Sequence, residues 1–269
     1  MGVVVLPRAL TSFSARLSKA PFASPHAVAI AGACLAIALL TVLLPKDGGV
    51  SRFLLGHGAH APLHSFYPLT FQNGLHLLLA LGVGEVWSRW QETRREEGFL
   101  ARHLLPEDDG STLRIEDLEA IRRDAGGLAL GRNTVLPRLI DVIVLQLVAN
   151  RSLEQAMSVF ASTLELISHR VDLAYQALRY LVWLLPMAGF IGTVIGIAIA
   201  LDGLGGEIDF AQVASGVALA FSTTILALIE AAVLALLQNL VQHRQERALS
   251  DSAEYCLRNL INRTALPRP

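Results

Sequence analysis

YLVWLLPMAGFIGTVIGIAIAL, residues 180–201, is an apolar stretch broken only by one proline, several small residues and a single threonine. About 20 such residues at about 1.5 Å rise each cross the roughly 30 Å hydrocarbon layer of a bilayer, so the stretch reads as a transmembrane helix. Pro186, Gly189, Thr193, Gly196 and Ala200 follow at offsets of three and four, which puts them on one face. Small side chains along a face let a second helix approach closely, and lipid alone gives no reason for them.

The flanking sequence has the same character. Hydrophobic residues make up 53% of the chain and charged residues only 17%, with a mean hydropathy of +0.48, which is too apolar for an ordinary soluble domain of this length. Four apolar runs stand out, His26–Leu44, Leu69–Trp87, Tyr180–Leu201 and Gln212–Leu237, the second interrupted by Gln72, Asn73, His76 and Glu85. Basic residues mark the cytoplasmic side of a membrane protein. Arg8, Arg16 and Lys19 precede the first run, twelve arginines lie in 88–179 and five after the fourth run, whereas 45–68 holds only Lys46 and Arg52 and 202–210 holds none. Four spans with both termini cytoplasmic satisfy that distribution. The first run ends in TVLLPKDGG with no small-x-small cleavage site, so it reads as a retained anchor rather than a secretory signal.

The expected organisation is therefore a cytoplasmic segment 1–25, two spans with an outside loop at 45–68 in 26–90, a cytoplasmic helical region 91–179, two further spans in 180–240 and a helical tail 241–269. Within the cytoplasmic region, Pro106, Asp108-Asp109-Gly110 and Gly126-Gly127 break 91–133 into short helices. Pro137–Ala149 is apolar but too short to span and contains Asp141, as a buried cytoplasmic helix does. From Arg151 to Arg179 there is neither Gly nor Pro, and apolar residues recur at three and four, which predicts one long helix entering the membrane unbroken near Tyr180. The net charge of −1 provides no electrostatic footprint for nucleic acid. Cys34 and Cys256 fall on segments that a disulfide would not join, so both read as free thiols. His57, His60 and His64 in the outside loop lack the Cys or carboxylate that would complete a zinc site, so no metal is expected.

Pro186-Met-Ala-Gly189-Phe-Ile-Gly192-Thr193-Val-Ile-Gly196 spells P-x-x-G-x-x-G-T-x-x-G, and the fourth run contains Ala218-Leu-Ala-Phe-Ser-Thr223-Thr224. The two stretches resemble the last two membrane helices of the MotA/TolQ/ExbB proton channel family, and the four-span layout is more like the MotA branch. The resemblance implies an all-α membrane protein of the bacterial inner membrane, with long helices reaching into the cytoplasm and five copies forming a ring. It also implies a partner: a dimer of a single-span MotB/TolR/ExbD-like protein whose membrane aspartate sits inside the ring. H+, or Na+ in its place, would be the transported ion; no cofactor and no covalent chemistry are implied.

By that resemblance Thr193 and Thr224 stand beside the partner's carboxylate. Periodicity on the fourth run favours Thr223 instead, because Gly216, Ala220, Thr223, Ala227, Glu230 and Leu234 form a second seam. Both threonines are therefore kept. Where the TolQ/ExbB branch often carries a glutamate, this chain has Leu219; Glu230, eleven residues on, returns to within about 20° of the same face and is a candidate for the missing acid. An acid at that depth must face protein or water, or else snorkel to the interface. The candidate ion path is thus Thr193, Thr223, Thr224 and Glu230, on a packing seam of Pro186, Gly189, Gly192, Gly196, Gly216 and Ala220. The competing expectation is a non-conducting membrane scaffold or signalling protein with a cytoplasmic helical domain.

Overall fold

The computed structural model describes residues 25–44, 48–56, 69–107, 113–129, 134–205 and 208–264. Their elements are α1 (Pro25–Leu43), α2 (Gly49–Leu55), α3 (Phe71–Leu100), α4 (Ile115–Ala129), α5 (Val135–Asn150), α6 (Leu153–Ala174), α7 (Gln176–Asp202) and α8 (Phe210–Cys256), followed by a π-helical turn, Leu257–Ile261. No strand occurs among the described residues, and Leu113 and Thr264 form one isolated bridge. The chain divides into two compact units, Met1–Trp87 with Tyr180–Ala235 and Ser88–Arg179 with Leu236–Pro269. The N-terminal segment, His57, His60, His64 and the turn at Asp108-Asp109-Gly110 lie outside the described residues.

In the first unit the apolar runs form α1, the first half of α3, α7 and the first half of α8. The small-residue seam of α7 closes on α8 of the same chain. Gly189 meets Ala227, Gly192 meets Thr223, and Gly196 meets Gly216 and Ala220, so the two helices run antiparallel. At the crossing a Cβ on Gly196 would lie 2.6 Å from the Ala220 nitrogen and the Gly216 carbonyl oxygen, and a Cβ on Gly216 would lie 2.6 Å from the Ala200 nitrogen and the Gly196 oxygen. Backbone touches backbone there, and only glycine at both positions allows it. Pro186 sits one turn before Gly189 and removes the N–H that Val182 would otherwise accept from.

α3 runs parallel to α8. Phe71 lies against Gly192, Gln72 donates to Ser222 at 3.5 Å, and Gly82 lies under Leu234. α3 thus begins beside the middle of α7 and α8 rather than beside their ends. Its first turn is capped by Thr70, whose hydroxyl accepts from the Asn73 N–H at 3.2 Å and donates to the Leu55 carbonyl at 2.7 Å. The last carbonyls of a helix have no intrahelical donor, and Thr70 supplies one to the end of α2.

The second unit is organised around α5. Leu136, Pro137, Leu139, Ile140, Ile143, Val144 and Leu147 are all buried in a core with Leu118, Ala156, Phe160, Ile167, Ala253, Cys256 and Leu260. Asp141 lies on the open side and pairs with Arg122 at 3.0 Å. The hydroxyl of Thr134 makes no capping bond to α5; the Glu96 carboxylate takes the Val135 N–H instead, at 3.0 Å. Two expectations are corrected here. Gly126-Gly127 does not end a helix, because α4 runs through it. The helix expected over 151–179 starts at Leu153, after Ser152 caps the Gln155 N–H, and is interrupted by a single turn residue at Tyr175. Tyr175 is buried with its hydroxyl donating to Gln245 at 2.7 Å, an anchor that fixes where the helix changes pitch. From Gln176 the helix continues past Tyr180 without a break.

Candidate functional site

Thr223 and Thr224 stand about 100° apart on α8, and Thr193 on α7 joins the second of them. Thr223 is fully buried. Its hydroxyl donates to the Leu219 carbonyl at 2.9 Å, one turn back, and it packs on Gly192 beside Phe71. Thr224 faces α7, where its hydroxyl is in hydrogen-bond contact with that of Thr193. Around the pair, the Gly189 carbonyl lies 3.3 Å from the Thr193 hydroxyl and 3.2 Å from that of Thr224, and the Ala220 carbonyl lies 3.3 Å and 3.1 Å away. Each hydroxyl has one proton. One threonine must therefore donate to the other, whose own proton goes to a carbonyl, and the pair keeps lone pairs free for a donor arriving from outside. Thr193 and Thr224 are each half-buried, so that donor has a way in.

Glu230 lies on the Thr223 side of α8. It is seven residues after Thr223, within about 20° of the same face, and it points at α3 rather than α7. Its Oε1 lies 2.5 Å from His76 Nδ1, with the carboxylate side chain 5% exposed and the imidazole 20% exposed. His76 Nε2 lies 2.9 Å from the Leu54 carbonyl. The acid is thus held by an imidazole that also secures the end of α2. Glu230, expected on the ion path, is buried on the face of α8 that also carries Thr223, and sequence reading missed its neighbour His76. The signal was present, since Gln72, Asn73 and His76 interrupt an otherwise apolar run, and all three are polar where α3 meets α2 and α8. Gly216, Ala220, Ala227 and Leu234 complete the seam and are buried with Glu230. No group of His, Cys, Asp and Glu among the described residues is arranged to hold a metal ion.

Two helical stretches among the described residues are long and apolar enough to cross a membrane, Leu153–Asp202 and Phe210–Ile261. Only 28% of the apolar window of the first is buried and 44% of the second, whereas the core helix of a soluble protein is mostly covered. The residues that pair Thr193 with Thr224 lie on these two stretches. Residues 132–254 match the MotA/TolQ/ExbB proton channel family. The match covers α5, α6, α7 and nearly all of α8, so the Thr193–Thr224 pair and Glu230 fall inside the MotA/TolQ/ExbB segment while α1–α4, with His76, fall outside it. The family match over 132–254 and the two long apolar helices together point to a membrane protein. No curated protein and no solved structure matches the chain.

Proposed function

We propose that the chain is the channel-forming subunit of a proton-motive-force-driven, stator-like complex of the bacterial inner membrane, with four spans and both termini cytoplasmic. Five copies surround a dimer of a single-span MotB/TolR/ExbD-like partner, and ion flow at the partner's aspartate is coupled to rotation or other mechanical work. The carrying observation is the hydroxyl pair of Thr193 and Thr224, set between α7 and α8 on the matched segment and half open. A carboxyl group that gains and loses a proton needs neighbours able to donate to its ionised form and accept from its neutral form, and a hydroxyl does both. The ring is supported by the apolar surface that the protomer leaves uncovered. Phe190, Ile191, Val194 and Ile197 on α7 and Phe221, Ile225, Leu228 and Ile229 on α8 are all exposed, a surface suited to neighbouring subunits and lipid.

The test is proton flux in liposomes containing the chain copurified with its partner, read with an internal pH dye under an imposed potential. Thr193→Val and Thr224→Val keep the shape and remove the hydroxyl. Both should assemble as wild type and lose flux by about tenfold or more, corresponding to ~1.4 kcal/mol at the ion step. Flux at wild-type rates in both variants makes the threonines packing elements, and a wild-type complex that passes no ions favours the scaffold.

A further inference from the structure

The contacts of His76 determine how many protons its couple with Glu230 holds. A backbone carbonyl only accepts, so the nitrogen 2.9 Å from the Leu54 oxygen, Nε2, carries a hydrogen. The other nitrogen, Nδ1, lies 2.5 Å from Glu230 Oε1. Two bare lone pairs at that separation repel, so a second proton stands between them. It belongs either to a doubly protonated imidazole facing a carboxylate or to a carboxylic acid facing a neutral imidazole. Both descriptions have the same composition: a couple of zero net charge with one proton that can leave.

The couple has few polar neighbours. Glu230 Oε2 is buried and has no hydrogen-bond partner among the described residues, and an unpaired charge at such a place is costly. Few other charges face the couple. α2 carries Arg52, which is exposed, and α3 carries Glu85, nine residues beyond His76 and so about 180° round the helix. α7 has no Asp, Glu, His, Lys or Arg from Leu181 to Leu201, and α8 has Glu230 alone from Phe210 to Gln238. Occupancy of the couple is therefore governed by its own proton. Loss of that proton weakens the bond that His76 makes to the end of α2.

We infer that His76 and Glu230 together form a proton-binding site of the membrane unit, distinct from the Thr193–Thr224 pair, which takes up and releases one transported proton per protomer. This rests on the channel reading for the word transported. The binding itself is tested without flux, by histidine 15N NMR of the full chain in lipid nanodiscs across pH, with the His76 signal assigned by its loss in His76→Gln. Glu230→Gln is the informative variant, because its amide N–H can donate to Nδ1 as the shared proton does, so the fold is kept while the imidazole loses its carboxylate partner. The His76 signal should hold Nε2–H while the couple keeps its proton, and its midpoint should move by about one pH unit or more in Glu230→Gln, as coupled groups require. In the copurified complex the same variant should lose flux by about tenfold or more. An unchanged His76 midpoint shows two independent groups and overturns the site. A moved midpoint with wild-type flux in Glu230→Gln leaves a proton that is bound and not transported, which overturns the inference as stated. A wild-type complex without flux counts against the channel reading, and the midpoint then still decides whether the couple exists.

Discussion

Thr223 and Thr224 are adjacent in the chain and have different work because a helix turns by about 100° per residue. Thr223 bonds its own helix and fills the space over Gly192; Thr224 meets Thr193. Which of the two faced α7 could not be read from spacing, since it depends on which flank of α8 each neighbour occupies, and α3 is recruited from more than 120 residues away. Thr223→Val should accordingly cost less than about 1 kcal/mol in thermal unfolding and leave flux intact, in contrast to Thr224→Val, because the Leu219 carbonyl keeps its helical donor. The cysteines make a second contrast at this scale. Cys34 is exposed on α1 and Cys256 is fully buried in the core of the second unit, where burial pushes its thiol up to about 12. A thiolate is the reactive form. N-ethylmaleimide, which is small and apolar enough to enter the micelle, added to folded protein in detergent near pH 7 should modify Cys34 and spare Cys256, with the second label appearing only on unfolding. Labelling of both at similar rates in the folded state would contradict the burial of α8's end.

At the scale of the helix, spacing alone foretold that α7 had a face for close packing, and the structure gives that face to α8 of the same chain. The seam therefore accounts for folding of the protomer, and contacts between copies in the proposed ring fall to the larger residues outside it. Alanine at Gly196 or Gly216 places a methyl against backbone, which cannot rotate away. Each substitution should cost about 1–3 kcal/mol and lower the apparent Tm by several degrees. Gly98→Ala is the control: its Cβ meets nothing within 4 Å, and helix propensity predicts a gain of about 0.5–1 kcal/mol. The start of α5 was not legible in the same way, because its capping carboxylate, Glu96, comes from 39 residues earlier. Burial raises the Glu96 carboxyl above its ordinary value, with the backbone N–H groups of Val135 and Leu136 pulling it back. A raised folded value means that the stability Glu96 confers is full below the unfolded carboxyl value and declines as pH rises through the folded one. Glu96→Gln keeps an acceptor for the Val135 N–H and cannot ionise, so its stability relative to wild type should grow between about pH 4 and pH 7. A difference that stays flat across that interval would mean the carboxyl is not desolvated.

The two units are built from alternating pieces of chain. Within the first unit α7 runs against α8 while α3 runs with it. The beginnings of α3 and α8 and the end of α7 therefore point one way, and the ends of α3 and α8 and the beginning of α7 point the other. In the first set the end of α7 and the start of α8 adjoin 202–210, which has no basic residue, and the start of α3 follows 45–68, which has only Lys46 and Arg52; the second set adjoins the twelve arginines of 88–179. The proposed topology puts the Arg-rich side in the cytoplasm, because basic residues resist transfer across the inner membrane. In intact cells of a cysteine-free background, a membrane-impermeant thiol reagent should reach single cysteines placed at the exposed positions Leu204, Gly205, Ile208 and Asp209 and at Gly49, Val50 and Arg52. It should reach none placed at 95–107 or 153–175 until the membrane is permeabilised. The reverse pattern would invert the protein in the membrane and put the Arg-rich unit outside. Labelling at both ends in intact cells would mean that α7 and α8 do not span at all, and with them would go the proposed ion path at Thr193 and Thr224.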